Sequence, residues 1–168
     1  MKELLPTITD EVVYRLTEES VPRIKKCLTE LSDDEVWQRP NDNLVSVGNL
    51  ILHLCGNVRQ YVLFGLGGQP DNRVRQNEFD HTTIIPRERL LTNLDELMEE
   101  VKSVLSSLDI SILSRDFNIQ GIDITGFGIL MHVVEHFSYH VGQITWYTKL
   151  LRNKDMGYYA DHNLDITG

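Results

Sequence analysis

Apolar residues recur three and four positions apart in four separate stretches of this sequence, and that spacing commits most of the chain to helices. From about Thr9 to Leu31 the stripe is Val12, Val13, Leu16, Val21, Ile24, Cys27, Leu28 and Leu31. Ser46 can cap a second helix that runs to about Phe64, where glycines at 65, 67 and 68 and then Pro70 stop it. Pro86 suits the first turn of a third, striped by Leu90, Leu94, Leu97, Val101, Val104, Leu105 and Leu108. Thr125 can cap a fourth, from about Gly126 to Leu151. Each stripe must be buried against another. A chain of 168 residues is too short for two ordinary domains, so a single all-α domain over 1–168 is expected, a four-helix bundle.

The interruptions refine this. Pro22 falls inside the first stripe and predicts a kink or break near Ser20, because its ring removes an amide donor and crowds the preceding turn. Ser32-Asp33-Asp34-Glu35 has the capping-box pattern and opens a short helical turn through Trp37, ended at Arg39-Pro40. The stretch from Asp71 to Ile85 is polar and irregular, and at about 15 residues it exceeds what bundle neighbours need, so it reads as a long crossover. Phe117, Ile119, Ile122 and Ile124 around Gln120-Gly121 predict a small hairpin or extended loop before the last helix. The end of the chain, to Gly168, reads as a polar tail with two tyrosines.

Charge and apolar run lengths exclude several partners. A net charge of −9 with no basic cluster would repel a phosphate backbone, so nucleic acid is not expected. The apolar runs fall short of the roughly 20 residues of a membrane span, and Met1 to Glu11 has no apolar core of a signal peptide. A cytoplasmic protein is expected. Cys27 and Cys55, in helical stretches and outside any C-x-x-C pair, read as two buried, reduced thiols. Trp37 and Trp146 lie beside apolar helical residues and read as packing anchors, and the acidic run Asp95, Glu96, Glu99 and Glu100 as a solvated helix face.

Three of the six histidines, His132, His136 and His140, stand one helical turn apart. Two imidazoles on successive turns can converge on one ion at roughly 2 Å each, but the outer pair, about 12 Å apart, cannot. With Phe137 at the centre of the core stripe, His140 lies about 60° to one side, His136 about 100° and His132 about 140°. His132 is thus expected to point outward, while His136 and His140 edge the core on the side shared by Gln143 and Tyr147. A third ligand must come from elsewhere. His53, mid-helix between Leu50 and the polar Asn57 and Gln60, is best placed, with His81 in the crossover and His162 in the tail in reserve. Glu135 precedes His136, but no Glu follows His132, so the H-E-x-x-H pattern of zinc proteases is absent; Glu135 reads as solvated or as a support for a ligand.

The segment His136-Phe-Ser-Tyr-His140-Val-Gly-Gln143-Ile, with a mid-helix His53 far upstream and the Trp37 to Ser46 loop, resembles the DinB-like, YfiT-type family of metal-dependent enzymes over nearly the whole chain. The resemblance implies an up-down-down-up four-helix bundle with a site between helices two and four. It also implies a three-histidine metal centre with room for water, in which His53, His136 and His140 match the ligand positions one by one. The wider superfamily includes transferases and isomerases that use low-molecular-weight thiols such as bacillithiol, mycothiol or glutathione. The expected function is therefore a metal-dependent hydrolase or thiol S-transferase acting on a small molecule, with zinc or nickel as the ion, in a homodimer. The rival expectations are a non-catalytic metal-binding or stress-related bundle, and a metal-free bundle that dimerises through exposed helix faces.

Overall fold

The computed structural model describes residues 4–167. Residues 1–3 and 168, the ends of the domain expected over 1–168 and the start of the N-terminal stretch read for a signal, lie outside the described residues.

The first rod is formed by α1 (Leu4–Tyr14) and α2 (Val21–Glu30), joined without a break through Arg15–Ser20. Over those six residues the helix widens: the Val21 amide donates to the Leu16 carbonyl, five residues back instead of four. The wider turn makes room for the ring of Pro22, so of the kink or break expected near Ser20 the break is absent and a local bulge interrupts a continuous helix. The capping box then forms as the sequence predicts. The Ser32 amide donates to Glu35 at 2.8 Å and the Glu35 amide to the Ser32 hydroxyl at 3.3 Å, opening α3 (Asp33–Trp37).

Glu35 also accepts from Arg152 near the end of the chain. The Arg152 hydrogen bond first, and the Ser32 amide after it, hold its carboxyl at about 2 against an ordinary 4.5. A depressed folded value stabilises above the unfolded one, and this contribution is lost as pH falls from about 4.5 through about 2. Glu35→Gln is therefore expected to destabilise by about 0.5–1 kcal/mol at pH 7, since the pair is partly exposed, and to approach the wild type in urea titrations as pH falls toward 2.

Ser46 caps α4 (Val47–Val58), with the Asn49 side chain returning the hydrogen bond to the Ser46 amide at 3.1 Å. The helix continues through a second widened stretch, Arg59–Leu66, and stops at Gly67, whose amide donates to the Val62 carbonyl at 2.9 Å. The crossover that follows contains a short helix, α5 (Arg75–Asp80), packed against α4. Then come α6 (Arg87–Ser106) and a hairpin of β1 (Asp116–Ile119) and β2 (Ile122–Thr125). Ile119 faces Ile122 across the turn, and Gln120 and Gly121 both have positive φ, 57° and 77°, the backbone a two-residue hairpin of right-handed twist requires. Thr125 caps α7 (Gly126–Arg152), its hydroxyl accepting from the Gly128 amide at 3.1 Å.

Pairs of contacts give the helix directions. Lys25 meets Asp95 and the Leu28 carbonyl accepts from Arg87, so the first rod runs antiparallel to α6. Arg59 pairs with Glu100 and Gly67 lies beside Val104, so the α4 rod runs parallel to α6. His53 meets His136 and Asn57 meets His132, so α4 and α7 are antiparallel. Cys27 meets Thr145 and the Glu30 carbonyl accepts from Arg152, so α2 and α7 are parallel. The order is up-down-down-up. Two consecutive parallel rods cannot be joined by a tight loop, which is why the crossover between α4 and α6 is long.

One core, with Phe137, Leu94, Leu97 and Ile24 at its centre, is shared by all four rods. The tail differs from its polar reading: Met156 is buried, and the Tyr158 hydroxyl lies 2.8 Å from Thr145 and 3.3 Å from the Cys27 sulfur, which fastens the segment across α2 and α7. Among the described residues no helix is long and apolar enough to cross a membrane.

Candidate metal centre

The i, i+4 spacing on α7 sends His136 and His140 toward α4, where His53 waits on the opposing face. The Nε2 atoms of His136 and His53 are 3.0 Å apart, and one ring nitrogen from each of His53, His136 and His140 can be chosen so that all lie within 4.8 Å of one another. Two nitrogens at about 2.0–2.1 Å from one ion are separated by about 3.0–3.4 Å, so the His53–His136 pair already has ligand spacing. Burial disfavours the charged imidazolium and, ahead of the effect of His140, pushes His136 down to about 3; burial likewise lowers His140. Neutral rings are what a metal requires.

Each of two rings is oriented by a partner on its far nitrogen. His53 Nδ1 donates to Glu78 Oε2 at 2.8 Å, and His140 Nδ1 to Gln143 Oε1 at 2.7 Å. This leaves Nε2 of each with a free lone pair, the tautomer in which histidines bind metal with a carboxylate or carbonyl behind them. With these hydrogen bonds behind them, the three converging rings fit a divalent ion.

Glu78 stands on α5, in the crossover, and is itself gripped by Arg73, whose Nε donates to Oε1 at 2.7 Å and Nη2 to Oε2 at 2.9 Å. Burial pushes the Glu78 carboxyl up, but Arg73 and then His53 outweigh it and hold it below its ordinary value. Arg73 also donates to Gln60 Oε1 at 2.8 Å, and Gln60 to Asp71 at 2.7 Å, so a chain of polar groups ties the crossover to α4. Gly56 permits this approach: a Cβ there would lie 1.9 Å from Glu78 Oε1.

The remaining histidines sort themselves by contact. His132 does not point outward; it is half-buried, stacked on Tyr61 at 4.2 Å between ring centres, with Nε2 3.2 Å from the Asn57 amide nitrogen. The wheel angle was insufficient because Asn57 and Tyr61, on the facing rod, reach around to it. His81 sits against Trp37 and His162 beside Tyr159, and neither joins the cluster. Glu135 is exposed. Glu78 and Arg73 escaped the sequence reading because the crossover has no periodicity from which a facing direction could be inferred, and Gly56, in α4, because only their approach requires it to lack a side chain.

Beside His140 a cleft of about 390 Å³ opens between α7 and the loop leading into α4. Its walls include Leu44, Leu50, Tyr139, Trp146 and Tyr147, and Gln143 links it to the histidines. Trp37 is the packing anchor expected, donating to the Ile85 carbonyl at 2.9 Å, but Trp146 is 64% exposed and forms a wall of the cleft instead. Of the two free cysteines, Cys27 is buried and Cys55 half-buried, and burial pushes the Cys55 thiol up to about 12, far from a reactive thiolate.

Comparison with solved structures places the fold. A conserved protein from Enterococcus faecalis superposes with a TM-score of 0.70 at 17% identity, covering 87% of this chain and 98% of the other. The DinB-like protein YjoA from Bacillus subtilis gives 0.64 at 18%, covering 86% and 94%. YfiT from Bacillus subtilis, described as “a probable metal-dependent hydrolase with an unusual four-helix bundle topology”, gives 0.69 at 20%, covering 85% and 87%. The fold is thus the DinB-like four-helix bundle. Among curated proteins none matches the sequence. A family model does, over residues 10–160, and the chain belongs to that family, described as “Protein of unknown function (DUF1572)”.

Proposed function

We propose that this protein is a metal-dependent hydrolase of small molecules, with His53, His136 and His140 as the protein ligands of a divalent ion, zinc or nickel. The observation that carries the reading is the convergence of three histidines, two of them turned by Glu78 and Gln143 so that Nε2 is free, beside an open cleft. Three protein ligands leave a position for water or substrate, as in catalytic and not in closed structural sites. A divalent ion held there supplies Lewis-acid chemistry, activating a water or a thiol toward an electrophile. The chain's own residues do the rest. Glu78 and Gln143 hold protons on the far nitrogens of His53 and His140, burial favours the neutral rings of His136 and His140, and the cleft offers apolar walls to the substrate.

A low-molecular-weight thiol is the second substrate class for the same open position, giving S-transfer in place of hydrolysis; the uncharged lining of the cleft favours the hydrolase. A cytoplasmic location, supported by two unpaired cysteines, and a homodimer, supported by apolar side chains such as Phe127 and Met131 that α7 leaves exposed, belong to the same proposal.

The test is elemental analysis of tag-free protein followed by a panel of esters, amides and thiol–electrophile pairs with the metal-loaded form. One divalent ion per chain and turnover abolished by chelation are expected. One ion with no turnover of any pair would instead make the protein a non-catalytic metal-binding bundle, in which the ion ties α4 to α7.

A further inference from the structure

We infer that the cleft beside the histidines binds an uncharged aromatic or branched aliphatic portion of the substrate, with Tyr139, Gly142 and Trp146 setting its size. The inference rests on the hydrolase reading for the reaction, but not for the binding.

Among the described residues no Asp, Glu, Lys or Arg lines the cleft. Its walls are aliphatic on the α4 side, Leu44 and Leu50, and aromatic on the α7 side, Tyr139, Trp146 and Tyr147. A charged group entering would lose water without gaining a partner, whereas an apolar ring exchanges water for ring contacts. At about 390 Å³ the space lies at the small end of ligand sites, which run about 300–1,000 Å³, and so accepts a moiety of one or two rings. The cationic side chains Arg23 and Lys149 line a second groove, which shares Gly142 and Trp146 with the cleft, so a cationic partner for an anionic group is found there and not in the cleft lining. Trp146 and Tyr139 are 64% and 63% exposed, large apolar surfaces left open at the mouth next to the candidate reaction centre. Gln143, whose Oε1 is engaged by His140, joins this lining to the histidines, so a molecule held in the cleft lies next to the candidate centre.

Gly142 provides the decisive variant. Gly142 lines the cleft, and a Cβ at this position would meet nothing within 4 Å, so a side chain there does not disturb the helix's packing. Leucine at this site should narrow the cleft while leaving the bundle folded.

The experiment titrates the protein with the uncharged fluorophore N-phenyl-1-naphthylamine, with and without zinc, in the wild type, Gly142→Leu, Gly142→Ala and Trp146→Ala. One site per chain is expected, with affinity unchanged by zinc removal, reduced at least ten-fold in Gly142→Leu and Trp146→Ala, and less in Gly142→Ala. The anionic 8-anilinonaphthalene-1-sulfonate should bind at least ten-fold more weakly. With zinc-loaded enzyme, KM for naphthyl acetate should rise in Gly142→Leu at unchanged metal content. Equal probe affinity in a folded Gly142→Leu, preference for the anionic probe, or binding that vanishes as the chain dimerises would each overturn the inference. Probe binding as described with no ester turnover would defeat the hydrolase reading and leave this one standing. Ester turnover indifferent to Gly142→Leu would do the reverse.

Discussion

Replacing His140 with alanine is expected to lower zinc affinity by more than about 100-fold, because loss of a support behind a ligand alone lowers affinity by about 10–100-fold and loss of the ligand must exceed it. His53→Ala should behave alike, since the rings of His53, His136 and His140 converge from two rods on one point. His132→Ala is the contrasting variant. Its ring occupies the same face of α7, but its Nε2 is taken by Asn57 and its plane by Tyr61, so the ion should be retained with at most a modest loss of stability. Equilibrium dialysis with elemental analysis separates the two outcomes, and release of the ion by His132→Ala but not by His140→Ala would refute the ligand set. A melting curve gives an independent reading. A ligand that binds only the folded chain stabilises it by about 2.7 kcal/mol at 100 times its Kd, so zinc should raise the melting temperature of the wild type and of His132→Ala but not of His140→Ala.

The largest stability effect is expected at Arg73. Arg73→Ala leaves the Glu78 carboxylate, 11% exposed, without its bidentate partner, and breaking such a buried pair costs about 3–5 kcal/mol. Glu78→Gln keeps the shape and a carbonyl oxygen for His53 Nδ1 while removing the charge, so its main effect should fall on metal affinity, a loss of about 10–100-fold. Urea unfolding of the metal-free proteins and zinc titration of the folded ones separate the two roles. If Arg73→Ala unfolds within about 1 kcal/mol of the wild type, the crossover network is a surface feature and does not support the centre.

Helices were the most legible part of the fold, because an apolar stripe of period 3.6 has only one way to be buried. The Ser32 and Ser46 caps, the Gln120-Gly121 turn and the Thr125 cap also form as their local chemistry predicts, since each depends on residues within four positions of one another. Pro22 was read correctly as an obstacle, and of the kink or break expected the break does not occur, because a helix can widen by one residue and burial of Leu16, Val21 and Ile24 on both sides favours continuity. Trp146 was misplaced because composition around a residue in sequence does not say which face of a helix a neighbour covers.

For the candidate centre, the sequence by itself determined that His136 and His140 share one side of α7 one turn apart, since helical geometry carries that relation without a partner. Resemblance and mid-helix position singled out His53. That its Nε2 comes to 3.0 Å from His136, that Glu78 and Arg73 stand behind it, and that Gly56 must lack a side chain for them to do so were decided only by the tertiary structure. The reason is physical: those relations join α4, an aperiodic crossover and α7, separated by tens of residues, and their geometry follows from how α4 packs on α7 and how the polar crossover is tied against α4, not from any local preference of the chain.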